Sequence, residues 1–298
     1  NAQNFSMTYQ STSPNSSPLH EELVLSGRAD YISANTIVDI MNGVNDPRRS
    51  VFFRENLGAG VFSGGTYGDA NAYANFSQVG DLFHQPETPG ILFTYAEIQF
   101  LMAEMAARNA ADGASYNVAG TAASYYDAGI TASMEQWGVA SADITTYLAQ
   151  ADVAYATADG GSGDWREIIG RQLWLGLYNQ GLEGWSTWRR MDFTGFNPPP
   201  GMTAANIPVR MTYPLRENTL NGDSYDAASS AIGGDGAVVF WNECMDMMNV
   251  QFLVSRSWWR LCGERTSVRL LVLLLLLPPT CQTKRRVKVS FCLLPVFL

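Results

Sequence analysis

The chain has 298 residues, 46% of them hydrophobic, and a net charge of −9. That length supports one large or two modest domains with a sizeable core. Residues 1–243 carry 11 Arg, no Lys and 26 acidic side chains, whereas 244–298 carry 6 Arg, 2 Lys and 2 acidic ones, so an acidic body repels phosphates and excludes nucleic acid as a partner.

The chain opens on a polar stretch, NAQNFSMTYQSTSPNSSP, with neither the charged start nor the apolar run of a secretory leader. Its expected reading is a fragment whose true N-terminus is missing. Residues 1–90 read as loop-rich, with glycines at 58, 60, 64, 65 and 68 among the aromatics Phe52, Phe53, Phe62, Tyr67, Tyr73 and Phe76. Ser33–Met41 suits a short helix ended by Asn42–Gly43, and Asn45–Arg48 (NDPR) suits a turn. Thr94–Arg108 is the clearest helix, with Thr94 and Glu97 placed for a capping box and an expected apolar stripe of Ile98, Leu101, Met102 and Met105. Further helices are expected over Val118–Trp137, ending at Gly138, and from the cap Ser141 to Gln150. Residues 164–193 hold four tryptophans, Trp165, Trp174, Trp185 and Trp188. Asp164 is placed to cap that segment with Glu167 three positions on, and Gly181 and Gly184 break it into a helical hairpin. Rings this large need large partners, so the hairpin reads as packed core rather than a binding surface. After Phe193, a Pro198–Pro200 run and irregular sequence predict extended pieces and turns.

From Cys244 the composition changes: all four cysteines (Cys244, Cys262, Cys281, Cys292) lie there, with the apolar run Leu270–Leu277 and the basic KRRVK. A membrane anchor would be too short and is broken by prolines, and the cysteines lack paired metal-ligand spacing. The reading preferred is a non-native stretch, such as a shifted reading frame produces, and no function is drawn from it. Their confinement to the tail leaves the body without disulfides, which fits an oxidising compartment as well as a cytosolic one.

Candidate chemistry is sparse. Glu97 and Glu104 lie two turns apart on one helix, about 10 Å along the axis, and an acidic pair could cleave glycosidic bonds. Glu97 is already accounted for as a cap. His20 and His84 are the only histidines and neither has a second ligand at metal spacing, and the nucleophile, phosphate-loop and dinucleotide fingerprints do not occur. The expectation is no enzyme, no metal and no cofactor. Arg189 and Arg190 are expected to pair with acidic residues such as Asp192 or Glu183. Tyr67, Tyr73 and Phe76 on the glycine-rich loop could present flat faces to sugar rings, or could tuck the loop onto the body.

Five segments together resemble the SusD/RagB family of outer-membrane nutrient-binding lipoproteins. They are NDPR (45–48), TYAEIQFLMAEMAAR (94–108), YYDAGITASMEQWGV (125–139), IIGRQLWLGLYNQGLEGWSTWRRMDF (168–193) and IPVRMTYPLRENTLN (207–221). Their order and spacing match from about Asn45 to Trp241. The resemblance implies a mainly α, SusD-like fold of tetratricopeptide-like helix pairs with loop-rich irregular regions. Residues 1–243 would be a partial family domain lacking its N-terminal part, and 244–298 an atypical tail. It also implies a lipoprotein on the outer face of the outer membrane, whose lipid-bearing cysteine is not in this chain. Such a protein delivers glycans or other nutrient oligomers to a TonB-dependent, SusC-like barrel. The family's ligand-contacting residues do not carry over. A glycoside hydrolase and a purely protein-binding helical scaffold stand as alternatives.

Overall fold

The computed structural model describes residues 4–231, which fall within one compact unit. The preferred reading of the tail from Cys244 lies outside the described residues.

A two-stranded antiparallel ribbon pairs β1 (Phe5–Met7) with β2 (Gly90–Phe93). Between them run α1 (Pro18–His20, continued by a wide turn over Glu21–Leu25), α2 (Asn35–Gly43) and α3 (Arg49–Phe52). The main helices follow: α4 (Tyr95–Ala111), α5 (Ala122–Gln136), α6 (Ser141–Leu148), α7 (Trp165–Gly176) and α8 (Gly181–Met191). The chain beyond Phe193 was expected to be irregular, yet it forms α9 (Leu215–Leu220) and α10 (Gly222–Ala231), neither burying a residue. The architecture is mainly α, with α4 packed on α5 and α7, and α7 turning back into α8.

Local rules set most boundaries. Thr94 Oγ1 accepts from the Glu97 N–H at 3.1 Å, and the Tyr95 N–H, also free in the first turn, is taken by Asn4 Oδ1 at 2.8 Å. Helix α5 starts later than expected because Thr121 and Ser124 form the capping box, and Gly138 at φ +76° follows its end. The N-cap of α6 is Ala140 rather than Ser141, and it makes no side-chain cap bond. Asp164 caps α7 as expected, accepting from the Arg166 N–H at 3.0 Å. Glu167 does not reach back to it; its carboxylate accepts from the Thr194 N–H at 2.8 Å and pairs with Arg171. The hairpin turns through Asn179 at φ 66°, and Gly184 sits buried inside α8 beside Trp174, so it does not break the helix.

The core has two clusters. The larger joins Phe100, Tyr126, Ile130, Met134, Tyr147, Trp165, Ile169, Leu173, Trp188 and Phe193. The smaller joins Val38, Met41, Phe52, Phe53, Phe83, Trp137 and Leu175, with Tyr178 stacked on Phe52 at 3.8 Å. Trp174 borders both. The expected stripe on α4 is a correction: Ile98 is exposed and Leu101, Met102 and Met105 are half-buried. The buried face is Ala96, Phe100, Ala103 and Ala107, small enough for α5 to close in, with Phe100 against Gly129.

Two ionic centres sit inside this core. Arg48 and Asp46 are both fully buried, joined at 2.5 Å and 2.9 Å, and Arg48 also donates to Ser133 Oγ at 2.9 Å and Gln172 Oε1 at 3.2 Å. Gln172 Nε2 in turn donates to the Tyr147 hydroxyl at 2.8 Å. Burial alone would lower the Arg48 pKa, but the Asp46 carboxylate outweighs it and holds the guanidinium above its usual value. The second centre is Glu104, buried between Arg108, 3.0 Å away, and Arg190.

Candidate functional site

Three segments interlock on one surface around Tyr67. The start of α2 is joined to the glycine-rich loop by two backbone bonds of 2.8 Å, Gly65 N–H to Ser33 and Asn35 N–H to Gly65. At Gly64 this closeness requires glycine, because a Cβ there would lie 2.4 Å from Asn35 Cα in the backbone; a Cβ at Gly65 would meet the flexible end of Ile32. Asn71 closes the turn after Thr66, accepting from its N–H at 3.0 Å and donating to its carbonyl at 2.8 Å. The loop returns through Ser77, fully buried, whose carbonyl accepts from Ser33 N–H at 2.9 Å.

The third segment is the proline run. Asn197 donates its N–H to Thr36 Oγ1 at 2.9 Å and its side-chain amide to Asp39 Oδ2 at 3.0 Å, fixing the run on α2. Pro199 then packs against Gly68, whose φ of +70° suits glycine, with an added Cβ falling 3.1 Å from its ring. Tyr67 therefore lies between the Gly65 bridge and the Pro199 contact. It is 46% exposed, yet burial raises its phenol above the usual tyrosine value. Much of the residue remains open to solvent.

Tyr73 and Phe76 are placed differently from Tyr67. Both are half-buried on the return limb, Tyr73 in a single 3₁₀ turn and Phe76 just after it, its carbonyl accepting from Asn56 Nδ2 at 3.0 Å. The three rings make no ring–ring contact among the described residues. Sequence reasoning found the exposed ring but passed over Asn71, Asn197 and Pro199, which fix the backbone around it. Their signals, a Gly–Gly pair and an Asn before three prolines, show no partner until the chain is folded.

The acidic pair is not brought together for chemistry. Glu104 is consumed by its two guanidinium partners. Glu97 Oε2 is buried with no hydrogen-bond partner; burial, then Glu183, pushes the acid up to about 7, against the Thr94 N–H and Arg190. An acid raised in the folded state keeps its proton where the unfolded chain, near the ordinary 4.5, has lost it. Its contribution to stability therefore falls as pH rises from the ordinary value and is fully lost above about 7. Urea midpoints at about pH 5 and pH 8 should show wild type losing stability relative to Glu97→Gln across that window. Parallel shifts in the two proteins would refute it.

The arginine expectation is corrected in its partners. Arg190 pairs with Glu104, while Arg189 lies 4.0 Å over the Trp185 ring and donates to the Val209 carbonyl at 3.0 Å. Asp192 instead takes the left-handed conformation (φ 57°) that ends α8. Trp165 and Trp188 are buried core, and Trp174 and Trp185 are half-buried. No group of three His, Cys, Asp or Glu among the described residues could hold a metal, and no described helix is long and apolar enough to cross a membrane.

The family model SusD-like, described as starch-binding and associating with the outer membrane, matches residues 1–214. Among solved structures, a chitin-binding SusD homologue from Flavobacterium johnsoniae superposes with a TM-score of 0.61 at 22% identity, over 80% of this chain and 54% of its own. A SusD homologue from Bacteroides vulgatus gives 0.61 at 22% identity, over 80% and 53%. One from Bacteroides thetaiotaomicron gives 0.60 at 22% identity, over 81% and 56%. At that identity the likeness is one of fold, and the chain spans little more than half the length of these structures. Comparison with curated protein sequences finds no match.

Proposed function

We propose that this chain, which belongs to the SusD-like family, captures glycans at the outer membrane without chemically altering them. In the same reading the full-length protein faces outward on a lipid anchor and passes its ligand to a TonB-dependent, SusC-like barrel. Family membership and the five ordered sequence segments support that placement. The observation that carries binding is the open Tyr67 ring on a seam fixed by Asn71, Asn197 and Pro199. A flat ring on a backbone held in place offers stacking area, which suits the apolar face of a pyranose. Tyr73 and Phe76 line the return limb as secondary contacts.

Titration calorimetry with oligosaccharides tests this. Tyr67→Ala should weaken binding by about tenfold or more, equivalent to ~1.4 kcal/mol, with the unfolding midpoint unchanged. Wild-type protein that binds no oligosaccharide, or a variant that binds as well as wild type, would sink the reading. Co-purification of the full-length protein with the neighbouring barrel tests the transport partner. The hydrolase alternative has no support in the geometry, since Glu104 is sealed between arginines.

A further inference from the structure

We propose that the Tyr67 seam selects uncharged or cationic sugar chains and turns away those bearing carboxylates or sulfates. The inference rests on Tyr67 being the capture site. Its source is the charge and hydrogen-bond inventory of the three segments that build the seam.

Residues 33–43, 61–80 and 195–203 contain two ionisable acids, Asp39 and Asp69, and no lysine, arginine or histidine. Both carboxylates are exposed, and neither is in an ion pair with a described cation. Asp69 follows Tyr67 by two residues. Its Oδ1 accepts from the Ala70 N–H at 2.8 Å, which leaves Oδ2 to solvent. Asp39 is bound to the Asn197 amide that seats the proline run, so its charge is fixed at the seam.

The side-chain amides of Asn71 and Asn197 are already committed. Asn71 Nδ2 donates to the carbonyls of Thr66 and Asp69, at 2.8 and 2.9 Å, and Asn197 Nδ2 to Asp39. The seam thus combines an aromatic face with fixed negative charge and open carboxylate oxygen. Its complement is a ligand rich in donors: hydroxyls, N-acetyl N–H groups or ammonium groups. A uronate or sulfate ester brings acceptors and like charge; the segments hold no cation of their own, and Arg49, which packs on them from outside, is engaged with Asn42 and the Phe62 ring. The surrounding body, which lacks lysine altogether, deepens the repulsion.

Calorimetry at low ionic strength decides the matter, with four hexasaccharide probes: maltohexaose, N-acetylglucosamine hexamer, glucosamine hexamer and hexagalacturonate. At least one neutral probe or the glucosamine hexamer should bind at least about tenfold tighter than hexagalacturonate. The gap should narrow when salt is raised to about 0.15 M and in Asp39→Asn/Asp69→Asn, with Asp69→Asn alone as the milder variant. Hexagalacturonate binding as tightly as the best other probe overturns the selectivity while leaving Tyr67 as the capture site. A gap indifferent to the aspartate variants also overturns it. Absence of binding by all four probes, or binding untouched by Tyr67→Ala, removes the capture site and the selectivity together.

Discussion

Arg48→Ala is expected to cost about 3–5 kcal/mol, a large share of the ~5–15 kcal/mol that holds a typical domain folded. The loss would come from what remains behind. Asp46 sits with no exposure, and without Arg48 its carboxylate is charged, buried and short of the guanidinium that neutralises it. Ser133 and Gln172 would lose their donor in the same step, on two helices far apart in sequence. Urea unfolding followed by circular dichroism reads the effect. A midpoint within experimental error of wild type would show that water reaches Asp46 and that the centre is not sealed. Asp46→Ala combined with Arg48→Met should recover part of the loss, because removing both charges is cheaper than removing one.

The second large effect is expected at Glu104. Glu104→Gln leaves Arg108 and Arg190 facing each other across a buried site with no carboxylate between them, at a cost of about 3 kcal/mol or more. Because Arg190 comes from α8 and Glu104 from α4, their pairing ties the tryptophan hairpin to the first large helix. Glu104→Ala should be no better, and Arg190→Met should relieve Glu104→Gln in the double variant. A folded, fully stable Glu104→Gln would contradict this account. The same variant separates binding from hydrolysis. If reducing ends accumulate with wild type on polysaccharide and vanish in a folded Glu104→Gln, the residue is catalytic rather than structural.

Both centres show where sequence reading reaches its limit. NDPR was legible as a turn, since proline and aspartate declare turns locally. Nothing near it declares that Arg48 ends against residues 85 and 124 positions away. On α4 the helix was legible from its cap and period, but its buried face was misassigned. Hydrophobic periodicity favours large side chains, whereas this face is built from alanines around a single Phe100, with a paired Glu–Arg set beside them. Arg189 and Arg190 were assigned to nearby acids for the same reason: sequence proximity stood in for spatial proximity. At the site, the ring of Tyr67 was identifiable as a candidate, and the neighbours that hold it were not.

The sequence by itself determined the mainly α class, the tryptophan hairpin as core, the principal helices and the family resemblance. Those features follow from caps, glycines and periodicities that act within a few residues. Tertiary structure alone decided which acids are spent in the core, which glycines permit close backbone approach, and which aromatic ring stays open. Each of these depends on groups brought together from distant parts of the chain, where burial turns a charge from a surface decoration into a structural requirement.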